Sequence, residues 1–210
     1  MDKLLQKSIK RLETIEEFVF DKNWWSEKYA SKLDARFITF KTALNIFLQR
    51  DGKLILETGC LRLPDDYGAG QSTLIFADFC SRYKKKLISV DNDAEHLNTA
   101  KEVVKPFSNF IEFFLEDSLT FFRNYQGEKI DLLYLDSLDA NPNSEEETKK
   151  AQIHQLRESQ LAFPHLSNKA IVLLDDNQLP YGGKTYLSKR FFLSKGFTLL
   201  IDSQQVLLSK

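Results

Sequence analysis

The chain has 210 residues, of which 42% are hydrophobic and 28% are charged, a composition typical of a globular protein with a full hydrophobic core. Its two cysteines, Cys60 and Cys80, are too few for a disulfide framework and too isolated for a zinc site, which excludes small cysteine-stabilised scaffolds. The formal net charge of −1 excludes a bulk attraction to nucleic acid or to an anionic membrane, so we expect a small-molecule partner.

The N-terminal 50 residues predict a helical cap. No apolar run approaches the ~18 residues that a membrane helix needs, and the charged, amphipathic start is unlike a secretion signal, so we expect a cytoplasmic protein. Trp24 and Trp25 are predicted to lie in a connection between helical stretches. The apolar positions at helical spacing are Leu5, Ile9, Leu12, Ile15 and Val19, then Phe37, Phe40, Ala43, Leu44 and Phe47.

From Leu54 onward, short apolar runs alternate with longer segments of helical periodicity. Runs such as LLYLD and AIVLLDD are typical of strands that are buried on both faces. The alternation predicts a doubly wound α/β fold with a mostly parallel, Rossmann-like sheet. After a helix that ends near Gly196, FTLLID and QQVLLS predict a C-terminal hairpin, which would add one antiparallel edge strand.

Each of the five predicted parallel strands ends in acidic residues. Ligands of such sheets bind at the carboxyl ends of the strands, where strand order reverses. Two unit charges ~4 Å apart interact by about 4 kcal/mol at a partly screened site, so this acidic edge would repel a diphosphate. We therefore expect a ligand that is cationic, carries hydroxyls or brings a metal. The strand ends are Glu57; Asp91, Asn92 and Asp93; Glu116, Asp117 and Ser118; Asp136 to Asp139; and Asp175, Asp176 and Asn177.

The segment GAGQST is a weak match to a dinucleotide-binding loop. It contains Gly68 and Gly70 but lacks the third glycine of G-x-G-x-x-G, and a turn before a helix capped by Ser72 or Thr73 explains it equally well. Asp91 follows Gly70 by 21 residues, a spacing at which an acid can bind two ribose hydroxyls. A nicotinamide-dependent oxidoreductase is therefore an alternative that the acidic edge disfavours.

The motifs LILETGC through GAGQST, LISVDND, FFLEDS, IDLLYLD and AIVLLDDN resemble, in order and spacing, those of class I S-adenosylmethionine-dependent methyltransferases. The resemblance covers residues 54–210 and implies a methyltransferase domain over residues 51–210, after the cap of residues 1–50. A segment from Cys60 to Tyr67 interrupts the usual glycine loop and is a candidate lid. The implied cofactor contacts are Glu57, Gly59, Gly68, Gly70 and Ser72 near the methionine part, Asp91 and Asn92 at the ribose, Asp117 and Ser118 at the adenine, and Asp136 near the reacting group.

A second resemblance concerns Asp136, Asp176 and Asn177. Small metal-dependent O-methyltransferases of the catechol and caffeoyl-CoA type have an Asp after the fourth strand and an Asp-Asn pair after the fifth, which together bind a divalent ion. Neighbouring strands lie ~4.8 Å apart, so these side chains could converge on one ion. Oxygen ligands favour a hard cation such as Mg²⁺, which would lower the pKa of a substrate hydroxyl.

The sequence departs from that second family at the general base. Those enzymes carry a lysine three residues after the first metal-binding Asp, where this chain has Asp139. The base therefore stays open between Asp139, His154 and Lys184, or no base is needed if the metal suffices. Asp136 is a predicted catalytic residue at the junction of cofactor and metal.

The sequence thus predicts a methyltransferase that acts on a hydroxyl of a small molecule with help from a divalent metal. The alternatives are an NAD(P)-dependent oxidoreductase, a non-catalytic S-adenosylmethionine-binding module and, as a variant, a methyltransferase acting on nucleic acid or protein. A homodimer is compatible with the sequence, which does not decide the oligomeric state.

Overall fold

A computed structural model describes residues 19–67 and 71–210 and contains a seven-stranded sheet. The strands follow the order β3-β2-β1-β4-β5-β7-β6. Strands β1 to β5 are parallel, and the order reverses between β1 and β4, which is where such sheets bind ligands. The strands are β1 (Leu54–Thr58), β2 (Lys86–Asp91), β3 (Ile111–Leu115), β4 (Ile130–Leu135), β5 (Leu166–Leu174), β6 (Thr198–Asp202) and β7 (Val206–Ser209).

Helices cover both faces of this sheet, so the predicted doubly wound α/β fold is confirmed. The first face packs against α1, α2 and α3, and the opposite face packs against α5, α6 and α7. Every residue of β4 is buried because alternate side chains enter the two cores. The helices are α1 (Lys22–Tyr29), α2 (Arg36–Gln49), α3 (Ser72–Tyr83), α4 (Ala94–Val103), α5 (Ser118–Asn124), α6 (Glu145–Ala162) and α7 (Tyr186–Ser194).

The N-terminal helices pack on the sheet, but one detail of the prediction is wrong. Trp24 and Trp25 lie inside α1 rather than in a connection, because the Asp21 side chain caps this helix by accepting hydrogen bonds from the backbone N–H groups of Asn23 and Trp24. Trp25 is completely buried in the core of the first face. The helix predicted around Leu5 to Ile15 lies outside the described residues.

The C-terminal hairpin also forms as predicted. Strand β7 is antiparallel to β5 and to β6, and it lies between them, so β6 forms the edge of the sheet. Gly196 follows α7 with a φ of +85°, the left-handed conformation that ends many helices. In the described part of the chain, no helix has both the length and the apolar character needed to cross a membrane.

Candidate active site

A cavity open to solvent lies at the carboxyl ends of β4 and β5, next to the start of α2 and of α3. We call it the first cavity. Its walls are mostly polar and charged, as the acidic strand ends predicted. The lining residues are Leu33, Arg36, Phe40, Arg62, Tyr67, Gln71, Ser72, Ile75, Tyr134, Asp136, Asp139, Asp175 and Asp176.

Tyr134 connects two of the carboxylates in the first cavity. Residues two apart on a strand face the same side, so Tyr134 and Asp136 project together from the end of β4. The Tyr134 hydroxyl donates a hydrogen bond to Asp175 and lies 3.3 Å from Oδ2 of Asp136. Burial, followed by the charges of Asp136 and Asp175, raises the pKa of Tyr134 well above its usual value. The phenol therefore stays protonated and acts as a donor.

The Lys184 side chain ends between the two acidic strand termini. Its Nζ lies 2.6 Å from Oδ1 of Asp136 and 3.2 Å from Oδ2 of Asp176, and the side chain is only 1% exposed. Burial alone would lower the pKa of Lys184, but the carboxylates of Asp136 and Asp176 outweigh it, and the pKa is raised above its usual value. Lys184 is thus a buried ammonium, which does not suit the role of a general base.

Asp136 titrates near neutral pH. Burial raises the pKa of Asp136, and the nearby carboxylates of Asp175 and Asp176 add to this effect while Lys184 opposes it; the resulting pKa is about 7. A carboxylate with this pKa is well matched to exchange a proton at physiological pH.

The carboxylate of Asp175 is paired with Arg36 rather than with Lys184. Nε of Arg36, in the first turn of α2, lies 3.4 Å from Oδ1 of Asp175. The Gln205 side chain donates to Oδ2 of Asp175 at 3.1 Å, and Thr39 contacts Gln205 in turn. Three carboxylates at the ends of β4 and β5 therefore face two cations that the chain itself supplies, Arg36 and Lys184.

A second cavity opens at the ends of β2, β3 and β4. Both oxygens of Asp91 accept backbone hydrogen bonds, from Cys60 at 2.9 Å and from Asp93 at 2.8 Å, which fix the carboxylate at the end of β2. Asp117 caps α5 by accepting from the Thr120 N–H at 3.0 Å. The lining residues are Gly59, Val90, Asp91, Asn92, Glu116, Asp117, Ser118, Ser137, Leu138 and His154.

The predicted catalytic residues divide between the two cavities. Asp136 and Asp139 line the first cavity, where the exposed Asp139 is paired with Arg62 at 2.5 Å. His154 lines the second cavity, where its Nε2 lies 3.2 Å from Oγ of Ser118. The carboxylate of Glu158, whose Oε1 lies 3.7 Å from Nε2 of His154, raises the pKa of His154. The structure therefore does not bring His154 together with Asp136 and Asp139.

The residues that line the two cavities are adjacent in the chain at the end of β4. Asp136 lines the first cavity, and the next residue, Ser137, lines the second. Gly59 has a φ of +82°, and a Cβ on it would lie 2.4 Å from the carbonyl oxygen of Asp136. A glycine is therefore required where the chain leaves β1 and passes this carbonyl.

We expect Gly59→Ala to destabilise the protein more than Gly196→Ala does. Gly196 has a similar φ of +85° but open space around its Cα, so its substitution adds only the left-handed strain of roughly 1–2 kcal/mol. The contact with Asp136 should add about 1–3 kcal/mol at Gly59. Thermal unfolding of both variants measures the difference; equal melting temperatures would contradict the close approach.

Glu57 lies beneath the start of α3 and is completely buried. Its Oε1 accepts a hydrogen bond from Ser89 at 2.7 Å, whereas its Oε2 has no hydrogen-bond partner among residues 19–67 and 71–210. Burial raises the pKa of Glu57 to about 7. Glu57 lines neither cavity, so its contact with the cofactor stays a prediction. The predicted contacts Gly68 and Gly70 lie outside the described residues.

The segment from Cys60 to Tyr67 forms part of the wall of the first cavity. It is attached to α3 because the Leu61 N–H donates to Oγ1 of Thr73 and the adjacent Gln71 side chain donates to the Leu63 carbonyl. Arg62 and Tyr67 face the cavity. Its role as a lid stays a prediction.

The three predicted metal ligands do not fit a divalent ion in this arrangement. Asp136 and Asp176 face the same point, but the Lys184 ammonium lies there. The Asn177 side chain points elsewhere: its Nδ2 donates to Asp202 and to the Ser203 carbonyl, and its Oδ1 accepts from Thr185. Within the described ranges, no three His, Cys, Asp or Glu side chains are grouped to hold a metal.

Comparison with known proteins decides the family. A family model described as a methyltransferase domain matches residues 67–177, which is more than half of the chain and includes most of the residues that line the two cavities. The chain belongs to this methyltransferase family. The predicted class I, S-adenosylmethionine-dependent methyltransferase is thereby confirmed. No curated protein matches the chain.

Solved structures show the same fold as this methyltransferase at low identity. A provisionally assigned caffeoyl-CoA O-methyltransferase from Staphylococcus aureus is 16% identical, with a TM-score of 0.59 and coverage of 99% of this chain and 100% of that chain. The O-methyltransferase NovP is 14% identical, with a TM-score of 0.57 and coverage of 83% of this chain and 79% of that chain. Cofactor-bound Rv0187 from MTB is 13% identical, with a TM-score of 0.56 and coverage of 100% and 90%.

Sequence reasoning missed two residues of the methyltransferase site. Tyr134 had a usable signal, because it stands two positions before Asp136 on a buried strand and must share its face. Arg36 had none, because it lies 139 residues from its partner Asp175 and nothing in its local sequence distinguishes it from a surface arginine.

Proposed function

We propose that this methyltransferase transfers a methyl group from S-adenosylmethionine to a hydroxyl of a small molecule, with Asp136 as the proton acceptor. The observation that carries the proposal is the position of Asp136. It lines the first cavity directly before Ser137, which lines the second, and it has a pKa of about 7. The O-methyltransferases among the structures of similar fold are consistent with a hydroxyl acceptor.

The second cavity suits the nucleoside part of S-adenosylmethionine. Asp91 is fixed by two backbone N–H groups, and each carboxylate oxygen keeps a lone pair for a ribose hydroxyl. Asn92, Asp117 and Ser118 line the remainder of that cavity, where the adenine would lie. Ser72 lines the first cavity and Gly59 the second, and together with Glu57 they would lie near the methionine part.

The first cavity then takes the acceptor. When bound, S-adenosylmethionine supplies the methyl group: the acceptor oxygen bonds to the methyl carbon as the carbon–sulfur bond breaks and its electron pair stays on sulfur. Asp136 accepts the hydroxyl proton, while Tyr134 and Lys184 hold the carboxylate in place. This scheme uses no divalent ion, because Lys184 lies where the predicted ion would bind.

Transfer of a radiolabelled methyl group tests the proposal. We expect calorimetry to detect binding of S-adenosylmethionine and no binding of NAD⁺ or NADP⁺. With labelled S-adenosylmethionine, a panel of catechols, other phenols and sugars should yield a product labelled at oxygen, together with S-adenosylhomocysteine. Binding without transfer to any acceptor would favour a non-catalytic module, and label on nitrogen, RNA or protein would contradict the hydroxyl acceptor.

A further inference from the structure

Lys184 lies at the point where two acidic strand ends converge, and it is almost completely buried. We propose that its ammonium takes the place of a divalent cation at the ends of β4 and β5, so that methyl transfer needs no metal ion. The inference rests on the proposed function for the transfer itself, but the binding of cations at this point can be measured independently.

The contacts of Lys184 resemble those of a bound cation. Its Nζ bridges one oxygen of Asp136 and one of Asp176, at 2.6 and 3.2 Å. The third carboxylate of the group, Asp175, is paired with Arg36 and accepts from Tyr134 and Gln205. The chain therefore supplies a positive or hydrogen-bonding partner to each of these carboxylates. An additional cation between Asp136 and Asp176 would be repelled by the ammonium that already lies there.

The turn after β5 fixes the position of Lys184. After β5, the backbone turns back so that the Lys184 N–H donates to the Asp176 carbonyl at 2.8 Å. Gly183 permits this turn with a φ of +64°, because a Cβ there would lie 2.1 Å from the Asn177 carbonyl oxygen. Gln152 of α6 holds the same turn by donating to the carbonyls of Tyr181 and Gly183. The position of Lys184 is thus specified by the backbone as well as by its charge.

The same turn moves the third predicted ligand away. Thr185, next to Lys184, donates to Oδ1 of Asn177 at 2.6 Å, while the other end of that amide is bound to the β6–β7 connection. The same turn therefore places the Lys184 ammonium beside Asp136 and Asp176 and directs the amide oxygen of Asn177 away from them. In this role Lys184 is a positioning residue, since it acts on the acceptor through Asp136.

Binding of Mn²⁺, followed by electron paramagnetic resonance, tests the inference on the full-length chain without cofactor or acceptor. We expect wild type to leave Mn²⁺ free and Lys184→Ala to bind one Mn²⁺ per chain at least about tenfold more tightly, because a like charge has been removed. Lys189→Ala is the matched control: this lysine, in the first turn of α7, pairs with Asp202 outside the cavity, and its variant should behave as wild type. Lys184→Ser serves as a second variant if Lys184→Ala does not fold.

Label transfer adds a readout that a merely structural lysine would not change. We expect wild-type transfer to persist in EDTA, and Lys184→Ala to lose transfer and regain part of it when Mn²⁺ is added. A wild-type chain that binds one Mn²⁺, or that loses transfer in EDTA and regains it with Mn²⁺, would overturn the inference. Failure of both Lys184 variants to acquire Mn²⁺ would also overturn it. If no acceptor is ever labelled, the proposed function fails, and the Mn²⁺ measurement still decides the role of Lys184.

Discussion

Replacing Asp136 with asparagine is expected to lower kcat by roughly 100- to 10,000-fold, the range that a positioned general base contributes. The substitution keeps the size of the side chain but removes its ability to accept a proton. Because the proposed nucleoside contacts lie in the second cavity, the affinity for S-adenosylmethionine should change little. Steady-state kinetics and calorimetry on the same preparation separate the two effects.

Asp131→Asn is the matched control for this substitution. Asp131 lies on the same strand but at its opposite end, where it accepts hydrogen bonds from the backbone N–H groups of Lys53 and Leu54. Its replacement should lower the melting temperature and leave kcat within about twofold, since it touches neither cavity. If the two variants have similar kcat values, Asp136 is not the proton acceptor.

The pH profile gives the same hypothesis a second test. The ionised form of Asp136 accepts the proton, and its pKa is about 7, so wild-type kcat should rise as the pH increases through about 7. Below that pH the carboxylate carries its own proton and cannot take another. The residual activity of Asp136→Asn should lack this rise. A wild-type rate that is flat between pH 6 and pH 8, on the order of one unit either side of that pKa, would assign the proton to another group.

Asp91→Ala is expected to lose nearly all measurable affinity for S-adenosylmethionine. A hydrogen bond to a charged group contributes about 1.5–3 kcal/mol, so the loss of two ribose contacts corresponds to roughly 100-fold or more in Kd. Calorimetry with S-adenosylmethionine or S-adenosylhomocysteine measures this change directly.

Asp93→Ala controls for the structural role of this turn. Asp93 caps α4 by accepting from the N–H groups of Glu95 and His96, and its loss should cost about 0.5–2 kcal/mol of stability. It does not line either cavity, so its variant should bind the ligand as wild type does. Wild-type affinity in a folded Asp91→Ala would show that Asp91 does not hold the ribose.

Local sequence was sufficient for the fold and for the edge of the sheet that carries the site. Runs such as IDLLYLD predict a buried parallel strand, because both faces of such a strand must be apolar. The acid that follows each run lies at the carboxyl end of its strand, whatever the order of the strands in the sheet. The ends of helices were harder to predict from the sequence. The cap at Asp21 starts α1 before Trp24 and Trp25, whereas apolar spacing alone predicted that both lie in a connection.

The division of the acidic residues into two cavities required the tertiary structure. The strand-end acids share one edge, but only the packing of α3, α5 and α6 separates Asp91 and Asp117 from Asp136 and Asp176. The same packing places His154 beside Ser118 rather than beside Asp136. Sequence spacing could not distinguish these outcomes, because helix orientation depends on contacts between residues far apart in the chain.

The position of Lys184 at the ends of β4 and β5 could not be predicted from the sequence either. The pattern of Asp136, Asp176 and Asn177 by itself suggested a set of oxygen ligands for a metal. Only the folded turn after β5 brings Lys184 against the two acids and turns Asn177 away from them. Sequence by itself determined the sheet, its acidic edge and the methyltransferase family. Only the tertiary structure decided that the Lys184 ammonium neutralises this edge. A lysine side chain is long, so the position of its ammonium depends on the path of the backbone that carries it.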